Sequence, residues 1–142
     1  MALPIVTGEF GVVGKPDVRF TTEGKPWIKI RGLAKAKKRG ANGAWTDGES
    51  MFIDILVFDE EKVRMASHLV EQNLADKDSI VVSGRLQMRE YEKDGHKRIS
   101  YQITADSVGL SLRWKHYNSG DPLKVDSIKE ILGAEQLEDA PF

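Results

Sequence analysis

Short β-branched and apolar runs, each closed by a glycine or a turn pair, recur through most of this chain. The punctuation falls at Gly8, Gly11, Gly14-Lys15-Pro16-Asp17, Glu23-Gly24, Gly40 to Gly43, Asp47-Gly48, Gly84 and Asp94-Gly95. Segments of strand length separated this way predict a small all-β barrel or sandwich rather than a helical domain. One stretch departs from the pattern. Across residues 60–74, Val63, Ala66, Leu69, Val70 and Leu74 repeat at three and four residues, the spacing of a helix. Asp59 is the expected N-cap, with Glu60 and Glu61 where a helix dipole favours anions. Strands are expected up to residue 58 and again from Ser79. After Arg113 the alternation stops, which divides the chain into a domain at 1–113 and a tail at 114–142. Within the tail, Val125, Ile128, Ile131 and Leu132 fit one face of a short helix ending at Gly133, and residues 135–142 are expected to be unstructured.

Alternate side chains of a strand point to opposite faces, so parity separates a core side from an outer side. In residues 51–58, Ile53, Ile55 and Val57 form the aliphatic set, leaving Phe52, Asp54, Leu56 and Phe58 opposite. In 27–37, Ile28, Ile30, Gly32, Ala34 and Ala36 oppose Trp27, Lys29, Arg31, Leu33, Lys35 and Lys37. In 84–91, Leu86 and Met88 oppose Arg85, Gln87, Arg89 and Tyr91. In 98–105, Ile99, Tyr101 and Ile103 oppose Arg98, Ser100, Gln102 and Thr104. Three strands thus place rings and cations together on the side away from the core. Single-stranded nucleic acid needs this mixture: unpaired bases stack on rings for roughly 1–3 kcal/mol each, and phosphates need a basic track. The alternative is that the cations are solvated and the rings cover a second layer or a contact between copies.

The connection from Lys35 through Lys37, Lys38 and Arg39 to Trp45 is basic and glycine-containing, as a loop closing over a nucleic-acid strand would be. Charge is distributed in the same sense. Residues 1–116 carry 19 Lys/Arg against 16 Asp/Glu, and residues 117–142 carry 2 against 6. A mildly basic body with an acidic end implies an anionic partner for the body and a separate task for the end.

Several chemistries are disfavoured. The 142 residues hold no cysteine, which removes disulfides, thiolate nucleophiles and Cys-ligated zinc. Met1-Ala2-Leu3-Pro4 has neither the basic region nor the apolar run of a signal peptide, and no segment reaches the ~18 apolar residues of a membrane span. A soluble, cytoplasmic protein is expected. His68, His96 and His116 are scattered without metal-ligand spacing, and no phosphate loop or nucleophile elbow occurs. Asp54 is the one carboxylate among the outer-face rings. One carboxylate on such a face could coordinate a metal in a nuclease, but a salt bridge to Lys29, Arg31 or Arg89 is the expected role. No cofactor and no catalysis are expected.

Residues 3–113 resemble the bacterial and bacteriophage single-stranded-DNA-binding proteins. The resemblance rests on Val6-Thr7-Gly8, on Gly14-Lys15-Pro16-Asp17-Val18-Arg19-Phe20, on Phe52-Ile53-Asp54-Ile55-Leu56-Val57-Phe58, and on the run from Val82-Ser83-Gly84-Arg85 to Tyr91, in that order and spacing. It implies an OB-fold, a five-stranded Greek-key barrel with one helix, followed by an acidic tail. It also implies that Phe52, Phe58 and Tyr91 are base-stacking positions, and that the chain forms a homo-oligomer, a tetramer by analogy. Glu138, Asp139, Ala140, Pro141 and Phe142 resemble the acidic Pro-Phe tip with which that family recruits replication, repair and recombination proteins. Three features depart from the family. Lys38 stands where an aromatic residue is usual, with Trp45 the nearest ring; Asp59-Glu60-Glu61 replaces small and basic residues; and the tail lacks a long linker.

The expected function is sequence-independent binding and protection of single-stranded DNA. Its expected contacts are Trp27, Lys29, Arg31, Lys35, Lys37, Lys38, Arg39, Trp45, Phe52, Phe58, Arg85, Arg89 and Tyr91. An RNA- or tRNA-binding OB module is the main alternative, and a nuclease using Asp54 the second.

Overall fold

A computed structural model describes residues 2–114; the expected helix around Val125 and the Glu138–Phe142 tip lie outside these described residues. In chain order the elements are β1 (Ile5–Val12), β2 (Asp17–Phe20), β3 (Pro26–Arg39), β4 (Trp45–Phe58), α1 (Met65–Glu71), β5 (Ser79–Lys93) and β6 (His96–Leu110). The turn pairs sit where the chain reverses. Asp94 and Gly95 both have positive φ and join Lys93 to His96, which pair across the β5–β6 hairpin. Two consecutive left-handed residues match the twist of the strands they connect.

The sheet runs β1-β5-β6-β4-β3-β2 and closes because β3 also pairs with β1, through Gly11 with Leu33 and Val12 with Gly32. Five strands form the ring, and β2 adds a sixth beside β3. The β4–β6 pair is parallel, matching Asp54, Ile55 and Leu56 with Gln102, Ile103 and Thr104; the others are antiparallel. A closed ring in that strand order, with a helix inserted between β4 and β5, is an OB-fold.

Core parity agrees with the sequence expectation inside the ring. Ile28, Ile30, Ile53, Ile55, Val57 and Ile103 are buried together with Phe10, Val12, Ile80 and Val82, and α1 covers them with Ala66, Leu69, Val70 and neighbouring Leu74. Beyond the ring, the β3–β4 and β5–β6 hairpins continue as arms. From Gln87 to Ile99 every residue is exposed. Met88, Ile99 and Tyr101, assigned by parity to the core side, are therefore exposed, because no core lies beneath that part of the arm.

The helix is shorter than its periodicity predicts. Glu60 N–H donates to the Val63 carbonyl, which folds the start of the expected helix into a loop, and Val63 is exposed. Arg64, not Asp59, occupies the N-cap position and makes no side-chain cap. Asp59 nevertheless serves the helix start from outside it. Its carboxylate accepts the Ser67 backbone N–H at 2.9 Å and the Ser67 hydroxyl, with Arg64 Nε 3.8 Å away. That satisfies one of the amides every helix leaves unpaired in its first turn.

Candidate nucleic-acid interface

The strand registers assemble a continuous outer face from four strands. One cross-strand row runs Arg31, Asp54, Gln102, Gln87, and the next runs Lys29, Leu56, Thr104, Arg85. Phe52 lies opposite Leu33 one step beyond the first row, and Phe58 lies opposite Trp27 one step beyond the second. Six residue steps along the strand separate the two phenylalanines, roughly 20 Å at ~3.3 Å per residue. Tyr91 pairs with Arg98, and Arg89 with Ser100, on the β5–β6 arm.

Between the sheet and this arm is an open groove of about 440 Å³, lined by Lys29, Arg31, Phe52, Asp54, Arg89, Tyr91, Ser100 and Tyr101 among others. It gathers five of the candidate contacts. Phe52 and Tyr91 are 48% and 47% exposed, so both present ring surface. Arg31 holds its guanidinium over the Phe52 ring, and Lys29 Nζ lies 3.9 Å from Asp54 Oδ2. Of the three partners expected for Asp54, the structure selects Lys29. Ile99, Ser100 and Tyr101 also line this groove and were missed, because the sequence gives no sign of where the β5–β6 arm leaves the core.

Phe58 and Arg85 occupy a second, larger groove of about 760 Å³, with Leu3, Lys25, Pro26, Glu60 and Thr104 along its walls. Phe58 is half-buried there. Trp27 is not open at all: it is 1% exposed and stacks on Phe58, with centroids 5.8 Å apart and planes 21° from parallel. The expectation that Trp27 itself meets nucleic acid is corrected by its burial. Trp27 and Leu56 are buried on the side of the sheet away from the main core, and neither belongs to its cluster. Asp59 and Glu60, two of the acids that replace small and basic residues, both line this groove, and the Asp59 carboxylate is bonded to Ser67.

The remaining candidates lie on the β3–β4 arm. Trp45 is 66% exposed at its far end, facing Arg39 across the hairpin with the guanidinium 6.0 Å from the ring centroid. Lys38 pairs with Thr46, and Lys37 pairs with Asp47. Asp47 takes a hydrogen bond and salt bridge from Lys37 and a 3.7 Å salt bridge from Lys35. The Lys37 hydrogen bond and the two ammonium charges hold the Asp47 carboxyl below its ordinary value. Two of the four basic residues of this loop, Lys35 and Lys37, are thus already ion-paired.

Residues 6–111 match the Single-strand binding protein family. The chain belongs to that family. It is 35% identical over 112 residues to "Single-stranded DNA-binding protein 2" of Streptomyces coelicolor, covering 77% of this chain and 53% of the relative. It is 34% identical over 104 residues to the single-stranded DNA-binding protein of Corynebacterium glutamicum, covering 71% and 44%. The chain spans about half the length of these curated relatives. The crystal structure of a small single-stranded DNA-binding protein from Streptomyces coelicolor superposes with a TM-score of 0.67 at 26% identity, covering 80% of this chain and 98% of that one. The family is named for binding and not for a reaction. Among the described residues, no cluster of His, Asp and Glu is arranged to hold a metal ion, and no helix is long and apolar enough to cross a membrane.

Proposed function

We propose that this protein binds single-stranded DNA without sequence preference, laying the strand along the outer face from the groove of Phe52 and Tyr91 to that of Phe58 and Arg85. The observation that carries the reading is the first groove, where two half-exposed rings stand among Lys29, Arg31 and Arg89 on an OB-fold of this family. Rings accept any base, because every base has a π-face, and cations follow the phosphates; neither reads sequence. In the cell the task is protection of unwound DNA during replication, recombination and repair, by a homo-oligomer. Residues 1–113 act as the binding domain. Residues 114–142 act as a tail whose Glu138–Phe142 segment docks other genome-maintenance proteins, the Phe142 ring entering an apolar pocket while basic side chains of the partner meet Glu138 and Asp139.

Competition between labelled poly(dT), poly(rU) and duplex DNA of equal length tests the proposal. Retention of poly(dT) well above duplex is expected. Equal or stronger retention of poly(rU) would favour the RNA-binding alternative, and preference for duplex would contradict both. Removing Phe142 should abolish capture of replication or repair proteins while leaving affinity for single-stranded DNA equal or slightly higher.

A further inference from the structure

Phe52 and Phe58 share a strand and a face, but their support differs. Beside Phe52 is a guanidinium, that of Arg31 at 4.6 Å. Beneath Phe58 is a second ring, the indole of Trp27, stacked in the register pair that ends the β3–β4 ladder. Trp27 is flanked on its other side, from β2, by its register partner Arg19, whose guanidinium lies 5.6 Å from the indole centroid. Arg19 is in turn held by Asp17, with Nε donating to Oδ2 at 2.8 Å. A row of cation, buried indole and half-buried phenyl therefore crosses three strands and ends at the groove.

We infer that Trp27 is a positioning residue for Phe58: it fixes the phenyl plane before DNA arrives, so that a base meets a rigid platform. This rests on the proposal that Phe58 stacks a base. A ring free to rotate about χ1 and χ2 must be immobilised when a base lands on it, and that loss of freedom opposes binding. A ring already stacked on a buried neighbour has made most of that loss during folding. Trp27 contributes without touching the base, since its own surface is covered. The inference also explains why a ring occupies an outer-face position that parity offers to solvent. The planar face it offers to Phe58 is the property this role requires.

A double-mutant cycle tests this on the full chain, with affinity for a dT oligonucleotide read at fixed salt. Trp27→Met should weaken binding about three- to tenfold in the wild-type background, the worth of an aromatic pair. In the Phe58→Ala background it should have no further effect. Trp27→Phe should restore most of the loss in the wild-type background. Equal weakening by Trp27→Met in both backgrounds would overturn the inference, because the indole would then be a structural support unrelated to Phe58. If Phe58→Ala itself leaves affinity unchanged, the stacking role of Phe58 fails and the inference falls with it. A second measurement needs no destabilised variant. ¹³C relaxation on ring-labelled phenylalanine in the wild-type protein should find Phe58 as ordered free as when bound to dT, while Phe52 becomes ordered on binding. A Phe58 ring that is mobile when free overturns the inference.

Discussion

The Arg31 guanidinium lies 4.6 Å from the centroid of the Phe52 ring, in the groove that also holds Tyr91 and Arg89. The cation therefore occupies part of the π-surface that a base would use. A base stacking on Phe52 must share or displace that contact, which would leave the guanidinium to pair with a phosphate. The same two groups thus supply a stacking surface and a charge.

Stacking on the exposed rings carries the first prediction. Phe52→Ala and Tyr91→Ala should each weaken binding of single-stranded DNA by about 1–3 kcal/mol. Both side chains are about half exposed, so thermal unfolding should be nearly unchanged. Isothermal titration with a dT oligonucleotide alongside a melting curve checks both parts. Full affinity in both folded variants would remove the first groove from the binding site.

Asp47 sets the second prediction through its bridges to Lys35 and Lys37. Log affinity should fall with log salt, by about 0.7 per phosphate neutralised. Neutralising Lys37, Lys38 and Arg39 together should make that slope shallower. Asp47→Asn releases two ammonium groups, and should raise affinity at low salt and steepen the slope by up to about 0.7 for each added phosphate contact. Salt titrations of the three proteins decide it; identical slopes would place the β3–β4 arm away from the DNA.

Gly84 sits where the β5–β6 register shifts, and a Cβ there would lie 2.8 Å from Ala105 Cα with the Thr104 carbonyl oxygen still closer. This is rigid backbone rather than the end of a flexible side chain. Gly84→Ala should cost about 1–3 kcal/mol of stability, the usual range for overpacking. Since the bulge aims the arm bearing Arg85, Arg89 and Tyr91, affinity should drop even where the variant is folded. Urea unfolding and a dT titration on one preparation measure the two effects.

Acid should loosen the last strand of the barrel. Glu9 on β1 accepts hydrogen bonds from the Ser111 hydroxyl at 2.8 Å and from the Trp114 indole at 2.7 Å, with Arg113 3.9 Å away. The Ser111 bond, then the Trp114 bond and the Arg113 charge, hold its carboxyl below the ordinary value of 4.5. The unfolded chain therefore takes up the Glu9 proton first as pH falls. The stabilisation is full above about 4.5 and is lost as pH drops toward the folded value. Glu9→Gln should lower stability at neutral pH and flatten its decline in acid, as read by denaturant melts from pH 7 to 3.

Much of this molecule was legible from alternation alone. Ile28, Ile30, Ile53, Ile55 and Val57 occupy the core because a closed barrel has one interior, and parity names which residues can reach it. Phe52, Arg31, Arg89 and Tyr91 reach one groove for the same reason. Parity failed where that premise fails. Tyr101 and Met88 lie on a hairpin longer than the barrel it belongs to, and a strand pattern does not reveal its own overhang. Trp27 failed in the opposite sense: β2 places Arg19 against it and β4 places Phe58 against it, and neither register is visible in a local window. The period carries the helix too far because Val63 fits it by chance, while the Asp59–Ser67 contact in its first turn spans eight residues and is invisible to a local period.

The central claim is that DNA runs over the outer face from Tyr91 and Phe52 to Phe58. Ultraviolet cross-linking of the full chain to an oligonucleotide carrying iododeoxyuridine, followed by peptide mass spectrometry, tests it most directly. Cross-links at Phe52, Phe58 and Tyr91, and none at the buried Trp27, are the predicted result. Cross-links confined to the β1 surface around Ile5 and Thr7, with the three rings unmodified, would contradict it.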